Sequence, residues 1–159
     1  MRLRRLPAGQ PEPEAPVPLT WPPQVPNLPP ILVDTLAIGR VILDAPVLGQ
    51  DATLRLSGRL AESGQGAVGL QLALERLDGP PLRLSVAGSV NYADWRLSLL
   101  SRLTDAPGGL LAAALVGPQG GPLAVELTGD GPLTDWKARL TARAADKPLV
   151  DAAIGLAVP

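Results

Sequence analysis

Along most of the chain apolar and polar positions alternate with a period of two, the spacing that sends successive side chains to opposite faces of a β-strand. The clearest run is Thr53 to Leu60, where Leu54, Leu56 and Leu60 share one face while Arg55, Ser57 and Arg59 take the other. The arrangement recurs as Leu70, Leu72 and Leu74; as Leu82, Leu84 and Val86; as Trp95, Leu97 and Leu99; as Leu123, Val125 and Leu127; and as Leu140, Ala142 and Ala144. It resumes at the far end in Val150, Ala152, Ile154, Leu156 and Val158. Nearer the start, Ile31 to Ile38 and Val41 to Leu43 are apolar on both faces with Gly39-Arg40 between them, which predicts a bend or bulge.

Between these runs lie turn formers: Glu62 to Gly66, Asp78-Gly79-Pro80-Pro81, Asn91-Tyr92-Ala93-Asp94 and Gly129-Asp130-Gly131-Pro132. Connections this short pair successive strands antiparallel, because a parallel pair needs a crossover of a dozen or more residues. One stretch has a different character: an apolar block, Leu110 to Val116, is led by Pro107-Gly108 and closed by Gly117-Pro118. That punctuation predicts a short helix near 108–117. The predicted fold class is therefore all-β, an antiparallel meander of hairpins forming a curved, trough-like sheet with one short helical insert.

The chain also repeats itself. Leu84-Ser-Val86-Ala-Gly88, followed after five intervening residues by Asp94-Trp95-Arg96, matches Val125-Glu-Leu127-Thr-Gly129 followed at the same spacing by Asp135-Trp136-Lys137, with an offset of 41 at every matched position. Leu54-Arg-Leu56-Ser-Gly58 shares the first half. The repeating unit is a hairpin in which a Trp opens the returning strand, and stacked units of this kind can continue a sheet in both directions.

Composition narrows the chemistry. Ten of the nineteen prolines fall within residues 1–30, which reads as an extended Pro-rich linker ahead of a β-repeat region over 31–159. There is no cysteine and no histidine, so thiol nucleophiles, His-based triads and Cys/His zinc sites are excluded. Asp44 with Asp51, or Asp130 with Asp135, could be posed as catalytic carboxylate pairs, but each lies in turn-like sequence where Asp serves its own backbone. An enzyme is not expected, nor is any cofactor. A formal charge of -1 supplies no field for a phosphate backbone, so nucleic acid is not expected as a partner. Aromatics are 3% of the chain and Phe is absent, so the apolar face is built from Leu, Val, Ile and Ala.

In order and spacing, the segments of this chain resemble the TamB branch of the AsmA-like superfamily, the translocation and assembly module proteins of Gram-negative bacteria. The resemblance rests on Trp21-Pro22-Pro23 and Leu28-Pro29-Pro30 running into Val33 to Arg40, then on Ala45 to Gly49, Leu54 to Gly58, Leu77 to Pro80 and Gly129 to Trp136. It implies a long β-sheet with a hydrophobic groove, in the periplasmic part of an inner-membrane-anchored protein. It further implies a role in phospholipid transfer and outer-membrane protein assembly, and an outer-membrane barrel assembly protein as partner. Met1 to Leu6 has a basic start without the apolar run of a signal peptide, and no stretch reaches the length of a membrane anchor. The expectation is a fragment from the N-terminal or middle part of such a protein.

On this reading phospholipid acyl chains lie against Leu54, Leu56, Leu70, Leu72, Leu74, Leu84, Val86, Leu97, Leu99, Val125, Leu127 and Leu140. Without the resemblance, the same residues suit the dry core of a closed sandwich or barrel. The alternative function is a structural β-module that binds protein partners by strand addition, without lipid transport.

Overall fold

The computed structural model of the chain describes residues 32–45, 49–62, 66–117 and 119–157. The expected linker over 1–30 lies outside the described residues, as do most of the Glu62 to Gly66 turn and Val158. Eight strands form one antiparallel sheet in strict chain order: β1 (Val33–Leu43), β2 (Ala52–Glu62), β3 (Ala67–Arg76), β4 (Leu82–Asn91), β5 (Arg96–Asp105), β6 (Leu123–Pro132), β7 (Asp135–Ala144) and β8 (Lys147–Ala157). Among the described residues the sheet is open: β1 pairs only with β2 and β8 only with β7. A short helix, α1 (Leu110–Val116), joins β5 to β6. The all-β meander with a helical insert is thus the observed architecture, and the two register shifts of β1, one of them between Ile38 and Val41, supply the irregularity expected at Gly39-Arg40.

Register carries the period-two pattern across the whole sheet. Leu56 faces Ile38 on one side and Leu74 on the other, and Leu74 faces Leu84. The row continues through Leu103, Val125, Ala142 and Val150. A slip of one residue in any pairing would turn that strand's leucines to the polar side, so the shared face is what selects the register.

Where the chain needs a core it makes a small one at one end of the apolar face. Leu110 of α1 is 1% exposed and clusters with Ala52, Leu54 and Leu82, with Val41, Leu43, Leu74 and Leu103 around them. The helix is held there by Asp105, the last residue of β5, which is 2% exposed. Its Oδ2 accepts the backbone N–H groups of Leu111 at 2.7 Å and Ala112 at 2.8 Å, two of the donors that the first turn of a helix leaves unpaired. Gly109, the N-cap residue, has no side chain to do this, and a Cβ there would collide with the Asp105 carboxylate.

Two turns differ from expectation. Gly129 to Pro132 is not a turn but the last stretch of β6; the chain reverses at Leu133-Thr134 instead. Gly129 is needed for space, because the ring of Trp136 from β7 lies over it and reaches β5, where Nε1 donates to the Leu97 carbonyl at 3.1 Å. In the matching hairpin the turn is longer, spanning Tyr92 to Trp95, with Asn91 Oδ1 accepting from Ala93 N and Asp94 Oδ1 from Arg96 N. Trp95 therefore sits in that turn with φ of 51°, its ring edge-on to Tyr92, and does not open β5 as the repeat suggested. The 41-residue repeat holds for the strands and breaks in their connections.

Candidate functional site: the apolar face

The face is best described by its rows, which cross all eight strands at right angles to the chain. Beside the row through Leu56 and Leu74 runs a second: Leu36, Gly58, Leu72, Val86, Ser101, Leu127, Leu140 and Ala152. A third comprises Val33, Leu60, Leu70, Gly88, Leu99, Gly129, Ala138 and Ile154. At the rim opposite the helix come Val68, Val90, Leu97, Gly131 and Leu156, with Trp136. Ser101 is the only polar side chain in the three interior rows.

All twelve candidate residues lie on this one face. Their surroundings are not equal: Leu54 is 6% exposed in the cluster beneath α1, whereas Leu56, Leu70, Leu72, Leu84, Val86, Leu97, Leu99, Val125, Leu127 and Leu140 are half-buried by their neighbours alone. Leu74 is also half-buried and touches the helix-end cluster. At the lateral margins the face is more open, with Leu36 at 41% and Leu156 at 50% exposed. Sequence reasoning passed over Leu36 and Ile38 of β1, Leu103 of β5, and Val150, Ile154 and Leu156 of β8 as members. Alternation marks most of them, but only the register shows that they continue the same rows.

Among the described residues two charged side chains, Arg76 and Asp105, interrupt the face beneath the helix, while Lys147 stands opposite Ala144 at the β8 corner and Glu62 opposite Val68 at the far rim. Arg76 lies between Leu54 and Leu82, yet its side chain is 5% exposed because the adjoining loops close over it. Its Nε donates to Asp78 Oδ1 at 2.9 Å and its Nη2 to the Asp51 carbonyl at 3.1 Å. Asp78 also accepts the Thr53 N–H, and this bond with the Arg76 contact lowers its pKa to about 2. Asp105 is the second, committed to α1. Both side chains are buried in building that end, with Arg76 Nη1 and Asp105 Oδ1 left without a hydrogen-bond partner there.

The opposite face is polar and knit by cross-strand ion pairs: Arg55 with Glu75 at 2.9 Å, Arg102 with Glu126 at 2.8 Å, Arg139 with Asp151 at 2.6 Å, and Arg96 with Asp130. Asp130 also accepts from the Ser98 hydroxyl. Arg96, then Ser98, hold the Asp130 carboxyl below its ordinary pKa, and Arg139 does the same for Asp151. Of the carboxylates in the two possible catalytic pairs, Asp130 is bonded as above, Asp51 accepts the Ala45 N–H at 2.7 Å, and Asp135 meets Lys137 at 3.0 Å. An open depression of about 800 Å³ lies on this polar side, where Ala61, Ala87, Ser89 and Ser98 have short side chains and Gly69 has none. Of its charged members, Arg59 bonds to Gln71 and Asp130 to Arg96 and Ser98, and Asp34 of β1 also lines it. The depression is thus lined by small and polar side chains, while the leucines of β2 and β3 stand on the other side of the sheet.

Among the described residues no three His, Cys, Asp or Glu side chains converge as metal ligands, and no helix is long and apolar enough to cross a membrane. Comparison with known proteins finds no matching family model, no matching curated protein and no matching solved structure.

Proposed function

We propose that the chain is a segment of a TamB/AsmA-like lipid-handling protein, and that its apolar face carries phospholipid acyl chains between inner and outer membranes while supporting outer-membrane protein assembly. The observation that supports this reading is a single face running across eight strands, apolar in its interior rows apart from Ser101, backed by a polar face with four cross-strand ion pairs. With seven interstrand spacings of about 4.8 Å, the face is about 34 Å wide, and the acyl region of one bilayer leaflet, half of a core about 30 Å thick, fits on it lengthwise. Each methylene removed from water contributes about 0.8 kcal/mol, and rows of similar leucines present no deep pocket to stop sliding. By the resemblance, the segment belongs in the periplasmic part of an inner-membrane-anchored protein, beside an outer-membrane barrel assembly protein.

The test is chemical. The chain, purified without denaturant and extracted with organic solvent, is expected to release phospholipid in near-stoichiometric amount by mass spectrometry. Leu127→Asn, which places an amide in the middle row, is expected to release several-fold less with an unchanged circular dichroism spectrum. A lipid-free wild-type chain, or equal lipid on the variant, refutes the reading. The competing function, strand addition to a partner protein, draws on β8, whose pairing with β7 runs without a shift from Val150 to Ala157 and whose other edge is open.

A further inference from the structure

The rows of the apolar face cannot stand bare in water without cost, and the fold offers one geometry that covers them. We infer that, when free of lipid, two copies of this chain pack face to face as a sandwich, each sheet covering the other's apolar rows. Sheets stacked in this way lie about 10 Å apart, and a helix on a sheet stands at about the same height. Helix α1 therefore occupies the level of a second sheet above Leu54 and Leu82 and acts as a stop at that end. The partner covers the remaining rows, and a two-fold arrangement with the helices at opposite ends lets each helix abut the partner's rim.

The area suffices. Four rows spaced by about 6.8 Å along the strands, over a sheet about 34 Å wide, give about 900 Å² from each copy. A stable interface needs about 800 Å² per partner, and this one is apolar at its centre apart from Ser101, the character of obligate homodimers. Edge pairing is the poorer solution, since it extends the sheet and leaves both apolar faces in water. Ser101, in the middle row and near the middle of the sheet, falls close to the two-fold axis, where it can meet its counterpart and help set the register.

This inference does not depend on the lipid reading, but the two meet on one surface, so lipid and partner copy exclude each other. The experiment is sedimentation of the delipidated full chain over a range of concentrations, alone and with short-chain phosphatidylcholine. A dimer is expected, and Leu36→Arg or Ile154→Arg, at the open margins where 41% exposure of each side chain protects the fold, is expected to raise its Kd at least about tenfold. Ala153→Asp, on the polar side of β8, is expected to leave it unchanged. A monomeric delipidated chain, a ladder of higher oligomers, or dissociation by Ala153→Asp and not by Ile154→Arg overturns the sandwich. A dimer that persists in phosphatidylcholine supports the sandwich and counts against the lipid reading alone.

Discussion

Trp136 and Gly129 give the most exacting prediction. The Trp136 ring is 9% exposed, lies across the bare backbone of Gly129, and ends in a hydrogen bond to the Leu97 carbonyl of β5. A methyl group at Gly129 would overlap the ring edge, so Gly129→Ala must push the indole off its seat. Overpacking of this kind costs about 1–3 kcal/mol, and losing the indole hydrogen bond adds about 1 kcal/mol, for a total of about 2–4 kcal/mol. With Leu at position 136 there is no ring to displace, and Ala in a strand is favoured over Gly by about 0.5–1 kcal/mol. Gly129→Ala in the Trp136→Leu background is therefore expected to be neutral or slightly stabilising. Urea denaturation of the four members of this cycle, followed by circular dichroism, measures the coupling. An equal loss of stability from Gly129→Ala in both backgrounds would show that the glycine serves the backbone and not the ring.

Two further outcomes follow from the helix end and the polar face. Asp105→Ala leaves the Leu111 and Ala112 N–H groups without their acceptor and should cost about 2 kcal/mol, with faster amide exchange over 110–116 than in the sheet; unchanged protection of the helix would contradict its docking by Asp105. Asp78, Asp130 and Asp151 all have folded pKa values below the ordinary range, so the unfolded chain binds more protons and stability must rise with pH through that window. Their contribution should be complete above about pH 4–5 and fade as pH falls toward about 2, and urea midpoints that stay flat between about pH 5 and 2.5 would contradict it.

The strands, their alternating faces and the short helix were all legible in the sequence, because each depends on local spacing: two residues for a strand face, Pro-Gly and Gly-Pro for the helix ends. The twelve face residues were legible for the same reason. The turn at Leu133-Thr134 was not, since Gly129 and Gly131 are strong local turn signals and only a ring arriving from the next strand explains Gly129 inside a strand. Arg76 and Asp105 were equally hidden. Each falls on the apolar side by parity, and what makes it tolerable there is a partner from elsewhere: the Asp51 carbonyl 25 residues away for one, the start of α1 for the other.

The sequence by itself thus determined that this protein is a chain of β-hairpins with one apolar and one polar side, since side-chain alternation is a property of the strand alone. Tertiary structure decided that these sides join into one face over eight strands, that its edges stay open and that a helix closes one end. Those outcomes depend on register and on contacts between residues far apart in the chain, which no local pattern encodes.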